Sequence, residues 1–274
     1  MLALVKKPSG RPGRRLLERL GQALAAPALV AILSLGMPIG LKAADCPAER
    51  QPNIPKSEEA ALNIDKHKKQ LRAYHKSDPA SAHNSAYEKD IKLVIDDAVA
   101  YVSNEYDKVK RPAVVLDIDE TSLTNWPNID ADDFGFIKEG ECSLRPQFPC
   151  GFNAWIEKSR ADKIGPTLDF FKAVRSKGIA VFFVTGRRHS QRGVTIRNLR
   201  RAGFDNWTGL VTRPDDDKEK SIVPFKSGER AKIENEGKGE HYTIIANIGD
   251  QQSDLDGGHA KCTFKLPNPF YFIE

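Results

Sequence analysis

Residues 114–125 read VVLDIDETSLTN, and this stretch decides the fold. It continues an apolar run that begins at Ala113 and is typical of a central parallel strand buried on both faces. Asp117 and Asp119 interrupt this run where it ends. Because a carboxylate costs several kcal/mol to bury without compensation, the pattern predicts a positive charge at this strand end.

Apolar runs and helical patterns alternate through the rest of the chain. The runs that read as further strands are IAVFFVTG (179–186), GLVTRP (209–214) and YTIIANIGD (242–250). Helical patterns occupy 58–110, 167–178, 189–204 and 227–237, and Gly178 and Gly203 stand where glycine commonly caps a helix. The alternation predicts an α/β fold: a Rossmann-like parallel sheet with helices on both faces and a small cap insert.

The chain divides into three regions by composition. We interpret residues 1–44 as a signal peptide and residues 45–85 as an N-terminal arm with a helical lead-in. Residues 86–274 form the main domain. Within it, the segment at about 126–165 is rich in Pro, Gly and Asp and contains two cysteines, so we interpret it as the cap insert.

The N-terminal region has the features of a secretory signal. A basic start precedes PALVAILSLGMPIGL at 27–41, and the small residues Ala43 and Ala44 follow it. The apolar stretch is short for a membrane span, although an uncleaved N-terminal anchor is the alternative interpretation. We expect a periplasmic or secreted protein without stable membrane association after cleavage.

The charge balance gives no indication of a nucleic-acid partner. The formal net charge is +5, but residues 1–44 hold seven basic residues and one acidic residue. The remainder has 35 basic and 36 acidic residues and is therefore nearly neutral. No pattern in the sequence indicates an oligomeric state.

The four cysteines suit an exported chain. Cys142 and Cys150 lie close together in a loop-like segment, so we predict that they pair, which leaves Cys46 to pair with Cys262. If the chain is not exported, all four are expected to be reduced.

Reactive residues stand at the ends of three predicted strands. Since the carboxyl ends of parallel strands form the ligand crevice, we expect them to converge. The residues are Asp117, Asp119, Thr185, Asp250 and Asp254. Carboxylates gathered in one crevice repel one another, and a hard divalent cation relieves this repulsion. Oxygen ligands with retained water suit Mg²⁺.

The same groups suit phosphoryl chemistry. Asp117 and Asp119 are two positions apart and roughly 7 Å between Cα atoms in extended geometry, so one can attack while the other reaches the leaving oxygen. Thr185 and the N–H of Gly186 can bind a phosphoryl group. Lys226 is the candidate lysine, just before the predicted 227–237 helix. Its rivals are Lys218, Lys220 and Lys232, and Arg187 and Arg188 are second-choice substrate contacts.

Four short segments resemble the motifs of the haloacid dehalogenase-like phosphatases. In chain order these are LDIDET, FFVTGR, FKSGER and NIGDQQSDLDGG. More narrowly, TFKLPNPFY at 263–271 and GDQQSDL at 249–255 are similar to the group of plant vegetative storage proteins and bacterial class B and C acid phosphatases.

The resemblance implies a role for each matching residue. Asp117 is expected to be the nucleophile that forms an aspartyl-phosphate, and Asp119 the general acid and then the general base. Thr185 and Lys226 are expected to bind phosphate. Asp117, the backbone of Asp119, and Asp250 are expected to hold Mg²⁺, with Asp254 as a further ligand or an orienting residue.

The leading functional hypothesis is a secreted, Mg²⁺-dependent acid phosphatase acting on small-molecule phosphomonoesters. A receiver-like phospho-acceptor switch also uses acids, a threonine and a lysine around Mg²⁺, but it works in the cytosol and its acceptor aspartate lies on a middle strand. A storage or binding protein of the same fold is the remaining alternative. The presence of Asp117 argues against this alternative, because such relatives typically lack the nucleophile.

Overall fold

The computed structural model describes residues 63–76, 85–145, 148–235 and 241–274. The predicted signal peptide, most of the predicted arm, and Cys46 lie outside these residues. Within the described part of the chain, no helix combines the length and the apolar character needed to cross a membrane.

Among the described residues, seven strands form two sheets. Along the chain they are β1 (Pro112–Leu116), β2 (Leu123–Thr124), β3 (Asp162–Lys163), β4 (Ala180–Arg188), β5 (Gly209–Arg213), β6 (Thr243–Gly249) and β7 (Cys262–Lys265). Five of them make the main sheet in the order β5-β4-β1-β6-β7, and every neighbouring pair is parallel. The quoted apolar run therefore lies at the centre of a parallel sheet, as predicted.

Eight α-helices accompany the strands in the part of the chain that the structure describes. They are α1 (Ile64–His75), α2 (Ala86–Glu105), α3 (Trp126–Ala131), α4 (Phe152–Lys158), α5 (Gly165–Ser176), α6 (Arg192–Arg201), α7 (Val223–Asn235) and α8 (Gln252–Leu255). The side chain of Ser85 caps α2 by accepting a hydrogen bond from the Glu88 N–H. Gly178 and Gly203 follow α5 and α6 with positive φ angles of 75° and 96°, so both predicted caps are confirmed.

Alternate side chains of β1 pack on opposite faces of the sheet. Val114 and Leu116 join the larger apolar core, to which α2 and α5 contribute. Ala113 and Val115 join a second cluster that includes Ile233 of α7. Helices thus cover both faces, and the continuous apolar sequence of β1 follows from this double burial.

Helix α7 and strand β7 differ from the sequence prediction. Helix α7 begins at Val223 rather than at residue 227, so Lys226 lies in the first turn of the helix rather than before it. Strand β7 was not predicted, because it is a four-residue edge strand whose CTFK sequence has too few residues to show a pattern.

The segment between β1 and β4 contains the smaller sheet. Strands β2 and β3 pair in antiparallel fashion, and α3 and α4 lie between them in the sequence. A disulfide joins Cys142 and Cys150, which confirms that predicted pair. No cysteine that the structure describes is a free thiol, and the predicted partner of Cys262 lies outside the described residues.

Candidate active site

Three acids meet at the carboxyl edge of the main sheet. Asp117 follows β1, Asp250 follows β6, and Asp254 lies on α8. All three are buried, and each offers a carboxylate oxygen within 4.8 Å of the others. The structure therefore brings together three predicted site residues that are up to 137 positions apart.

Gly249 allows this close approach. A Cβ atom at Gly249 would lie 2.4 Å from the Cβ atom of Asp254, which is far inside van der Waals contact. A side chain at this position would displace the helix that carries Asp254. The glycine in the NIGD segment is therefore a packing requirement of the acid cluster.

Lys226 inserts its ammonium group between two of these acids. Its Nζ atom lies 2.6 Å from Asp117 Oδ1 and 2.5 Å from Asp254 Oδ1, and the side chain is buried. Burial alone lowers the pKa of Lys226, but the two carboxylates outweigh this effect and raise it above its usual value. The structure thus places Lys226, rather than its three sequence rivals, in contact with the acids, and keeps it charged.

The charges of the cluster do not balance. Three carboxylates and one ammonium group leave two negative charges if all are ionised. Burial, more than the neighbouring charges, raises the pKa of Asp117 well above its usual value and that of Asp250 to about 7. Because a divalent cation supplies the missing two charges and prefers carboxylate oxygens, the donor set fits Mg²⁺.

Asp250 is held by three neutral donors. Oδ1 accepts a hydrogen bond from the Thr121 hydroxyl at 3.0 Å. Oδ2 accepts from the side-chain amides of Gln251 at 2.7 Å and Asn268 at 2.8 Å. Asn268 lies in the C-terminal segment after β7, so this segment helps to orient an acid of the cluster.

Asp119 faces a different partner. Its Oδ1 atom lies 2.7 Å from Nη2 and 3.1 Å from Nε of Arg187, and it also accepts from Asn125 at 2.8 Å. Burial raises the pKa of Asp119, but Arg187 outweighs it and the pKa lies below its usual value. The Asp119 carboxylate is outside the three-acid cluster, and both aspartates lie beyond the end of β1 at Leu116.

Thr185 and Gly186 lie within β4, beside the acids. The Thr185 side chain is fully buried, and its hydroxyl accepts a hydrogen bond from the Arg187 N–H at 3.2 Å. Gly186 is exposed to the same cleft that Asp117 and Lys226 line. Gly186 thus lines the cleft with the acids, whereas Thr185, one residue earlier on the same strand, is buried and is not among the described residues that line it.

A buried network behind Asp119 was not predicted. Asn125 donates its side-chain amide to Asp119 and also to Glu120, while its own carbonyl oxygen accepts from the Trp155 indole at 2.8 Å. Tyr271 donates to Glu120 at 2.9 Å. Burial raises the pKa of Glu120 to about 7. The adjacency of Glu120 to the two aspartates was its sequence signal, whereas Asn125 and Tyr271 carried none.

The cleft above the acids has a volume of about 470 Å³. Its floor is the polar cluster described above. Aromatic side chains of the cap and the C-terminal segment form much of its wall: Phe134, Phe136, Phe152, Phe270 and Phe272. Arg188, Arg213 and Lys220 also line it.

Comparisons with known proteins find acid phosphatases and a storage protein among the proteins similar to this chain. The fold resembles the class C acid phosphatase of Bacillus anthracis with a TM-score of 0.56 and 18% identity, covering 77% of this chain and 87% of that one. Acid phosphatase 1 of Solanum lycopersicum is 34% identical over 68% of this chain and 69% of its own length. Vegetative storage protein 1 of Arabidopsis thaliana is 29% identical over 68% and 65%.

The fold, the acid cluster and these relatives define a phosphatase of the hydrolase class. The family model described as HAD superfamily, subfamily IIIB (acid phosphatase) matches residues 51–274, and the chain belongs to this family. The resemblance seen in the four sequence motifs is thereby confirmed.

Proposed function

We propose that this chain is an exported, Mg²⁺-dependent acid phosphatase that hydrolyses small phosphomonoesters through an aspartyl-phosphate on Asp117. The observation that carries the proposal is the cluster of Asp117, Asp250 and Asp254 around the buried ammonium group of Lys226. A lone acidic triad would suit many metal sites. The lysine beside a candidate nucleophile is what suits a phosphoryl group.

Asp117 is the proposed nucleophile. It lines the cleft at the end of the central strand, and the Nζ atom of Lys226 lies 2.6 Å from its Oδ1 atom. Attack by the other oxygen on phosphorus would form the phospho-enzyme and release the alcohol. Hydrolysis of this acyl phosphate would then return the free carboxylate and inorganic phosphate.

Asp117, Asp250 and the backbone carbonyl of Asp119 would hold Mg²⁺, with Asp254 as a further ligand or an orienting group. Once bound, the ion would neutralise charge on the phosphoryl oxygens and keep Asp117 ionised. The chain itself contributes the orientation of the ligands. Thr121 and Asn268 hold Asp250, while the Gln251 N–H holds Asp254 Oδ2 at 2.9 Å.

The transferred group would be bound by Thr185, the Gly186 N–H and Lys226. Thr185 has its oxygen occupied as an acceptor by the Arg187 N–H, which leaves its hydroxyl proton for the phosphoryl group. Lys226 supplies a fixed positive charge. These donors are held before substrate arrives, and such preorganisation is the main source of transition-state stabilisation.

Asp119 is the proposed general acid and then general base. A general acid must carry a proton, and the salt bridge to Arg187 lowers the pKa of this carboxyl. Protonation of Asp119 is therefore favoured only in acidic solution. This supports an acidic working pH for the enzyme.

Export is supported by the signal-like sequence and by the disulfide between Cys142 and Cys150, because such bonds persist in oxidising compartments. The storage alternative rests on the relative named as a vegetative storage protein. Failure of the purified protein to release phosphate from any monoester in a broad panel, with Mg²⁺ present, would favour that alternative.

The direct test is the Asp117→Asn variant assayed on p-nitrophenyl phosphate. We expect turnover to fall by at least about 10³-fold, as for other lost nucleophiles, while Mg²⁺-treated wild type is active and EDTA-treated wild type is not. Asp96→Asn, on the exposed face of α2, is the matched control and is expected to keep wild-type turnover. Wild-type turnover by Asp117→Asn would rule out the assigned nucleophile.

A further inference from the structure

Two arginines stand side by side at the edge of the cleft. In the parallel ladder between β4 and β5, Arg188 is the register partner of Arg213, immediately after an irregularity in the ladder. Like charges directly opposite each other on neighbouring strands destabilise a sheet. The pair therefore needs negative charge nearby. The hydrogen bonds of the two arginines show which acids of the chain provide it.

Within the described residues, the two guanidinium groups have one direct ion pair, while Asp215 and Asp217 act on Arg188 at longer range. Arg213 Nε lies 2.7 Å from Asp217 Oδ2. Arg188 donates instead to two backbone carbonyls, those of Pro214 at 2.7 Å and Asp217 at 3.0 Å. Carbonyl oxygens satisfy hydrogen bonds but carry no net charge, so Arg188 has no direct ion pair within the described residues.

A third cationic side chain, that of Lys220, lines the same cleft as the two arginines. Lys220 is exposed and lines the cleft together with Arg188 and Arg213, and the Arg213 residue is only 8% exposed. The loop between the arginine and the lysine carries four acids, Asp215, Asp216, Asp217 and Glu219. None of these four described residues lines the cleft. Asp215, for example, is held by the N–H and hydroxyl of Ser190.

Arg188, Arg213 and Lys220 line the same cleft as the proposed phosphate-binding residues Gly186 and Lys226. Arg188 follows Thr185 by three residues on β4, and the ladder shifts register between them, so that their partners on β5, Thr212 and Arg213, are adjacent residues. We propose that Arg188, Arg213 and Lys220 form a second anion-binding site. It selects phosphomonoesters whose leaving group carries a further carboxylate or phosphate.

Arginine is suited to this role because its planar group binds carboxylate and phosphate through two parallel hydrogen bonds. The inference rests on the proposed function for its catalytic consequence, but the binding site itself does not need turnover. Its effect is a preference between substrates, since an anion held here orients the leaving group without touching the reacting atoms.

The test compares two esters that differ by one charge: 4-(2-carboxyethyl)phenyl phosphate and the corresponding carboxamide. We expect wild type to favour the carboxylate by about tenfold in kcat/KM, the value of one charge-assisted contact. Lys220→Gln and Arg188→Gln are expected to reduce this ratio towards one. Lys172→Gln, an exposed lysine on α5, is the charge-matched control and is expected to keep the ratio.

Equilibrium binding of both esters to the Asp117→Asn variant separates this inference from the proposed function. Tighter binding of the carboxylate ester, lost in the double variant with Lys220→Gln, supports the site even if wild type hydrolyses neither ester. Equal binding of the two esters overturns the site even if wild type hydrolyses both. An unchanged ratio in Lys220→Gln and Arg188→Gln likewise overturns it.

Discussion

Arg187 binds Asp119 through its Nε and Nη2 atoms, with the shortest contact at 2.7 Å between Nη2 and Oδ1. The Arg187 side chain is 1% exposed, so solvent screens this salt bridge poorly. The residue proposed to donate a proton to the leaving group is therefore held by a fixed positive charge. Arg187 was only a second-choice substrate contact in the sequence analysis, and its main contact is with Asp119 instead.

Replacing Arg187 by Met is expected to change the pH dependence of catalysis. Arg187 lowers the pKa of Asp119, so its removal raises that pKa and the carboxyl keeps its proton to higher pH. The basic limb of the kcat profile should therefore move towards higher pH, while kcat itself falls. Arg197→Met, exposed on the neighbouring helix α6, should leave the profile in place. A basic limb that moves to lower pH would contradict this account.

Replacing Lys226 by Met is expected to harm both stability and activity. It leaves Asp117 and Asp254 without their buried counter-ion, and breaking a buried ion pair in this way costs about 3–5 kcal/mol. Urea denaturation without metal should show this loss, and added Mg²⁺ should restore part of it by supplying charge to the same acids. Lys232→Met, whose ammonium group pairs with Glu229 at the exposed surface of the same helix, is the control. Equal stability of the two variants would argue against a charged Lys226 in the site.

Removing the donors to Asp250 is expected to weaken metal binding. Asn268→Ala and Gln251→Ala each remove one of the two amide donors to Asp250 Oδ2, and losing such an orienting contact typically lowers metal affinity by about 10–100-fold. Titration calorimetry with Mg²⁺, or spin resonance with Mn²⁺, measures this without turnover. Gln252 offers a matched control, because its amide binds the exposed Asp256 instead. Equal Mg²⁺ affinity in Asn268→Ala, Gln251→Ala and Gln252→Ala would show that the two donors to Asp250 do not contribute to metal binding.

Acid should destabilise the protein partly through His75. Its ring stacks on Trp126 with centroids 3.9 Å apart, and burial lowers its pKa to about 4. The unfolded chain binds this proton below about pH 6.5 and the folded chain does so only near pH 4, so stability falls as the pH drops through that window. The loss reaches about 3 kcal/mol at its lower end.

The comparison of wild type with His75→Phe in urea at pH 7 and pH 4.5 measures this contribution. The aromatic replacement keeps the stacking surface and removes the titration, so its stability should depend less on pH than that of wild type. His241→Phe, at an exposed position, should behave like wild type. A His75→Phe variant that loses as much stability in acid as wild type would show that other groups dominate.

Much of the fold could be predicted because it depends on local pattern. A strand buried on both faces must be apolar throughout, so β1 and β6 were visible as continuous runs. Glycines with positive φ mark helix ends, so the ends of α5 and α6 were visible at Gly178 and Gly203. Strand β7 was not predicted, because four residues at a sheet edge form too short a pattern.

The sequence by itself determined the positions of the candidate nucleophile and of the acids at the strand ends. Parallel strands carry their carboxyl ends to one edge, so Asp117, Thr185 and Asp250 had to approach one another. Tertiary structure alone decided which charges pair there. The first turn of α7 places Lys226, rather than its rivals, in contact with Asp117. Arg187 pairs with Asp119, and Asn268 of the C-terminal segment donates a hydrogen bond to Asp250. Such contacts join residues far apart in sequence, and no local periodicity records them, because they depend on how packed elements direct individual side chains.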